Sequence, residues 1–172
     1  MKQLHIFDTS DSETSSHNSV LSHHYTLYVD GASRNNPGDA GAGMYIEKDG
    51  QSLEKRGFYL GVRTNNQAEY LALLVGIYYT KKHMLPQDTL SIISDSELLV
   101  RQVKGLYKVK QPELQQLFAA VKKTLQPIRY TISHVLREKN KQADAMANYG
   151  IDKKIMPPQE FLNVLKNYDI NW

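Results

Sequence analysis

At 172 residues, with 41% hydrophobic and 23% charged side chains, the chain has the size and composition of one globular domain. It has no cysteine, which excludes disulfides and thiolate chemistry and points to the cytoplasm, and it has no apolar stretch of membrane-spanning or signal-peptide length. The net charge of +3 conceals a basic middle: residues 25–150 carry 17 Lys and Arg against 12 Asp and Glu, which favours a polyanionic partner.

Residues 1–24 are rich in Ser, His and Asn without sustained periodicity and read as a flexible tail. Order is expected from Tyr25, where the alternation to Asp30 places Leu27 and Val29 on one face of a strand and Thr26, Tyr28 and Asp30 on the other. Gly31 to Gly38 reads as a loop with Asn-Pro-Gly turn chemistry. Ala40 to Glu47 and Leu53 to Gly61 read as strands joined in a hairpin at Lys48-Asp49-Gly50. Asn65 and Asn66 are candidate caps for a helix from Gln67 to Thr80, apolar nearly all round and charged only at Glu69. Thr89 to Ser94 is a strand, ended by Asp95 and followed by a short helix from Ser96 to about Lys104. A basic linker leads to a helix from Pro112 to Leu125, with proline in its first turn. Arg129 to Val135 is a fifth strand, and Glu138 to Tyr149 a helix closed by Gly150 as C-cap.

The order βββαβααβα predicts an α/β domain over residues 25–150, a mixed five-stranded sheet flanked by helices. Residues 151–172 form a C-terminal extension in which Gln159 to Asn167 could make one short amphipathic helix, docked on the body or loose.

Four carboxylates stand where a solvated surface charge is not expected. Asp30 and Asp95 close apolar strands, and Glu69 and Asp144 sit among alanines and apolar residues in helices. Each of the three aspartates has an ordinary alternative: Asp30 could serve a strand-to-turn junction, Asp95 could cap the next helix, and Asp144 could be a helical surface residue. Jointly the four suggest a metal site. In this element order the first and fourth strands are expected to be central neighbours, so their aspartates emerge at one end. Buried carboxylates need a compensating cation, and hard ions such as Mg²⁺ take a few carboxylates, waters and substrate phosphate. Two such ions can clamp the attacking and leaving oxygens of an in-line displacement at phosphorus.

The strings Tyr-Val-Asp30-Gly-Ala-Ser-Arg-Asn-Asn-Pro-Gly, Thr64-Asn-Asn-Gln-Ala-Glu69, Ser-Asp95-Ser and Asn140-Lys-Gln-Ala-Asp144 resemble type 1 ribonucleases H in order and spacing, over roughly Tyr25 to Gly150. The resemblance implies the ribonuclease H-like fold and an endonuclease that hydrolyses the RNA strand of an RNA–DNA hybrid, leaving 5′-phosphate and 3′-hydroxyl ends. By the same resemblance Asp30, Glu69, Asp95 and Asp144 would bind two Mg²⁺ ions, with Mn²⁺ as substitute and Asp30 shared between them. The catalytic partner would be RNA–DNA hybrid alone, with no membrane and no obligate protein partner, the protein acting as a monomer.

Two departures stand out. Many family members carry a loop histidine before the last aspartate; here His134 falls inside the fifth strand, and Arg137 lies in a short loop, as in some short-loop relatives. Arginine cannot serve as a general base, so Arg137 would steady the departing phosphate or product. His134 is the alternative for that role. In place of the basic, Trp-rich protrusion of some relatives stands only Lys104-Gly-Leu-Tyr-Lys108-Val-Lys110, a reduced substitute for which weaker, more salt-sensitive binding is expected. For the 2′-hydroxyls and phosphates of RNA, the candidate contacts are Asn35, Asn36, Arg63, Thr64, Asn65, Asn66 and Gln67, with Lys104 and Lys108 from the linker. Rival readings are a nuclease of the same fold acting on double-stranded RNA or another nucleic acid, and a non-catalytic nucleic-acid-binding module. Intact buried acids argue against the latter.

Overall fold

A computed structural model describes residues 21–172; residues 1–20, most of the expected tail, lie outside the described residues. Three long strands, β1 (His24–Arg34), β2 (Gly38–Lys48) and β3 (Gln51–Arg63), precede α1 (Asn65–Lys81), β4 (Thr89–Ser94), α2 (Glu97–Val103), α3 (Pro112–Leu125), β5 (Arg129–His134), α4 (Lys141–Lys153) and α5 (Gln159–Lys166). A single 3₁₀ turn, Arg137–Lys139, leads into α4.

The sheet order is β3-β2-β1-β4-β5. β1 and β4 are parallel neighbours in its centre, with Val29 opposite Ser94, and β2 and β3 are antiparallel. Asp49 and Gly50, both at positive φ (50° and 77°), make the tight β2–β3 turn whose twist suits a two-residue hairpin. Alternation assigns the two faces. Leu27 and Val29 meet α1 at Gly76, while the β2 glycines that point the other way receive the backbone of α4. Helix α1 is thus enclosed by the sheet on one side and by α3 on another, which explains its apolar circumference.

Several expectations change at element ends. Order begins before Tyr25: the backbone N–H of His23 donates to Asp88 Oδ1 at 2.8 Å, and His24 opens β1. The stretch expected as a loop from Gly31 is strand through Arg34, because β2 continues to pair with it, and only Asn35 to Pro37 turn, through a cis Asn36-Pro37 bond. Thr64, not Asn65 or Asn66, caps α1: its Oγ1 accepts from the Gln67 N–H at 3.3 Å while Gln67 Oε1 accepts from the Thr64 N–H at 2.9 Å. Gly150 is no C-cap. It lies within α4, where an added Cβ would come within 2.4 Å of the Phe58 nitrogen, so glycine is there for close packing and the left-handed cap falls at Lys154. The extension is docked: Phe161 and Leu165 of α5 are buried, each contributing about 2 kcal/mol of apolar burial.

Candidate active site

Asp30 follows Val29 on β1 and Asp95 follows Ser94 on β4, so the parallel pairing sets the two aspartates side by side at one end of the central strands. The expected alternative for Asp95, helix capping, is taken by its neighbour: Ser96 Oγ accepts from the Leu99 N–H at 3.3 Å. Asp95 is thereby left to face Asp30. Glu69 arrives from the first turns of α1, which lies against Gly31 so tightly that a Cβ there would sit 2.1 Å from the Glu69 nitrogen. That contact lets the Gly31 N–H donate to Glu69 Oε2 at 3.2 Å. Asp30 and Glu69 are each only 5% exposed.

Asp144 comes from the first turn of α4. Its Oδ1 accepts from Arg137 Nε at 3.1 Å and Nη2 at 2.5 Å, which places the guanidinium beside the acidic group. His134 ends β5 opposite Ser94 with its side chain exposed. Of the two candidates for the fifth position, Arg137 is the one bonded to a carboxylate of the set.

One residue of the sequence motifs gains its role only in the fold. Asn140, buried at the start of α4, donates through Nδ2 to the Val29 carbonyl at 2.9 Å and to Asp95 Oδ1 at 2.7 Å. A single amide thus ties α4 to the central strand and orients Asp95. Its sequence signal is a place four residues before Asp144 at a helix start, a position easily explained by capping alone.

The electrostatics follow from this crowding. Burial pushes the Asp30 carboxyl up to about 7, reinforced by the charges of Asp95 and Asp144 and opposed by Arg137. Burial likewise holds Glu69 well above the ordinary range, with Asp30 and Asp95 adding repulsion and the Gly31 N–H and Arg137 working against it. Among the described residues no three His, Cys, Asp or Glu side chains are already drawn together around one ion position. Asp95 and Asp144 are instead held by Asn140 and Arg137. The donor chemistry nonetheless fits a hard divalent cation: every donor is a carboxylate oxygen, two of them buried and in excess of the positive charge at hand.

The candidate substrate residues form two joined loops beside Glu69. Ser33 Oγ donates to the Arg63 carbonyl at 2.8 Å, and the Asn65 N–H donates to Asn36 Oδ1 at 3.0 Å. Asn35 takes positive φ (74°) to make the turn. Thr64 and Gln67 use their side-chain oxygens in the α1 cap, whereas Asn65 is exposed and Asn66 half-buried. Lys104 and Lys108 are exposed between α2 and α3 and form no ion pair with the four carboxylates.

Residues 28–150 match the family described as reverse transcriptase-like. The chain is 35% identical over 127 residues to the ribonuclease HI of Halobacterium salinarum, covering 73% of this chain and 63% of that protein. It is 31% identical over 140 residues to the ribonuclease H of Pseudomonas putida, covering 74% of this chain and 93% of the relative. Some relatives are much longer: the chain spans 35% of a bifunctional protein of Mycobacterium tuberculosis at 35% identity. Among solved structures, LC11-RNase H1 in complex with RNA/DNA hybrid, a protein isolated from compost by a metagenomic approach, superposes with a TM-score of 0.72 at 37% identity, over 75% of this chain and 97% of that one. The crystal structure of the halobacterial enzyme gives the same TM-score, 0.72, at 32% identity, covering 76% of this chain and 98% of that one. Motif, sheet order and relatives agree, and the chain belongs to the type 1 ribonuclease H family.

Proposed function

We propose that the protein is an endoribonuclease that hydrolyses the RNA strand of RNA–DNA hybrids, leaving 5′-phosphate and 3′-hydroxyl ends. The observation that carries the reading is the side-by-side placement of Asp30 and Asp95 at the ends of adjacent central strands, with Glu69 of α1 and Asp144 of α4 each within electrostatic reach of Asp30. The hybrid bound by the related LC11-RNase H1 supports the choice of substrate.

Asp30, Glu69, Asp95 and Asp144 would hold two divalent ions, Mg²⁺ or Mn²⁺. When bound, such ions would supply Lewis-acid activation of a water and charge neutralisation at the scissile phosphate. The chain's own groups do the remainder. Gly31 N–H and Asn140 Nδ2 donate to the carboxylates of Glu69 and Asp95 and restrict their orientation. Arg137, always protonated and beside Asp144, would offer its free N–H donors to the scissile phosphate and then to the 5′-phosphate of the departing product. Asn35, Asn36, Asn65 and Asn66 supply amides for 2′-hydroxyls, Arg63 and Thr64 face phosphate, and Lys104 and Lys108 add a diffuse attraction. The catalytic domain is residues 25–150, acting as a monomer in the cytoplasm without an obligate protein partner.

The test compares strand-labelled RNA–DNA hybrid, RNA duplex, DNA duplex and single strands with Mg²⁺ or Mn²⁺, beside Asp95→Asn. Hybrid should be cut in the RNA strand with 5′-phosphate products, and the variant should lose about a hundredfold or more in rate. An intact hybrid, or a fully active variant, refutes the reading. Preferential cutting of RNA duplex moves the substrate to double-stranded RNA.

A further inference from the structure

The family match stops at Gly150, yet the following segment is built into the body beside the site. Phe161, Leu165 and Ile170 are buried, and the rings of Phe161 and Trp172 meet edge-to-face at 5.4 Å. Both backbone groups of Tyr59 on the edge strand β3 are used by this segment: its N–H donates to the Ile155 carbonyl at 2.7 Å, and its carbonyl accepts from Trp172 Nε1 at 2.8 Å. Gln116 of α3 holds the intervening turn through the carbonyls of Tyr168 and Asp169, at 2.9 and 2.8 Å.

The consequence falls on Arg63, the last residue of β3. Its Nη2 donates to the Asn171 carbonyl at 3.1 Å and its Nη1 to the Val62 carbonyl at 2.9 Å. Two of the five guanidinium N–H groups are therefore fixed by backbone and three remain for a ligand. Arg63 directly precedes the Thr64 cap of the helix that carries Glu69, and its own carbonyl is bonded to Ser33. A free arginine side chain loses many rotamers on gripping phosphate; one already clamped at both Nη atoms loses fewer.

Resting on the hybrid-nuclease reading above, we infer that Ile155–Trp172 is a positioning element that presents Arg63 to a backbone phosphate of the bound nucleic acid. Trp172 is its anchor and the Asn171 carbonyl its contact.

The test is a binding cycle on the full chain, in chelator, with fluorescent RNA–DNA hybrid across about 50 to 200 mM salt. Arg63→Ala should weaken binding about tenfold and reduce the slope of log affinity against log salt by about 0.9, one phosphate contact. Trp172→Ala should weaken binding about three- to tenfold with an unchanged slope, since the charge is kept. The double variant should bind like Arg63→Ala alone. Trp172→Phe, which keeps the ring against Phe161 but loses the bond to Tyr59, carries the same cycle should the alanine variant fail to fold. Multiplying effects in the double variant, unchanged binding by the tryptophan variants, or unchanged binding by Arg63→Ala overturns the inference. A protein that binds hybrid with this pattern but cuts none defeats the nuclease reading alone. One that cuts hybrid but shows multiplying effects defeats the positioning role alone.

Discussion

Replacing Asp30 by asparagine should stabilise the metal-free protein above neutral pH and leave it unchanged in acid. The Asp30 carboxyl is raised from 3.8 to about 7 by burial and by the charges of Asp95 and Asp144. Below about pH 4 the group is protonated in both the folded and unfolded chain, and it contributes nothing to the pH dependence. Between about 4 and 7 the folded state holds a proton that the unfolded state has released, so stability falls by about 1.4 kcal/mol per pH unit. Over some three units the loss reaches about 4 kcal/mol, and it is complete as pH rises through 7. The asparagine side chain would carry no charge and could still donate toward Asp95, which removes this slope. Denaturant unfolding in chelator should therefore show Asp30→Asn more stable by about 2–4 kcal/mol at pH 8 and equal at pH 4. Divalent ions should raise the stability of the unaltered protein at pH 8 and that of the variant much less. A variant no more stable at pH 8, or equally stabilised at both pH values, would show that Asp30 is not held in the crowded, desolvated setting described.

Two further substitutions probe the surroundings. Arg137→Ala should lower kcat on hybrid by about tenfold or more while metal affinity, followed calorimetrically, stays within about twofold; undiminished turnover would return the role to His134 or to neither. Gly150→Ala decides between two readings of one residue. A solvent-facing helical glycine gains about 0.5–1 kcal/mol on becoming alanine, but here the new Cβ meets the Phe58 backbone, and a loss of about 2–3 kcal/mol is expected in thermal or urea unfolding.

Much of the site was legible because its chemistry is local in the chain. A carboxylate at the end of an apolar strand, as at Asp95, or within an all-apolar helix, as at Glu69, violates the expected burial of charge wherever the rest of the chain goes. Pro112 and Leu125 bound a helix that propensity and period already define, and the structure keeps both ends. Differences gather where a partner element overrides local preference. Gly31 to Arg34 has turn composition but is strand, since β2 pairs along its whole length. Gly150 has the look of a cap but is an interior contact with β3.

From sequence alone came the identity of the acids, the alternation and periodicity that class each segment as strand or helix, and the absence of thiol chemistry, all consequences of residue type and spacing within a few turns of chain. Only the folded structure could decide which atoms meet across long separations. Asn140 reaches Asp95 and Val29, Arg137 rather than His134 reaches Asp144, and Asn171 reaches Arg63. Such contacts depend on strand register and on how closely glycine lets two backbones approach, and neither is written in any single segment.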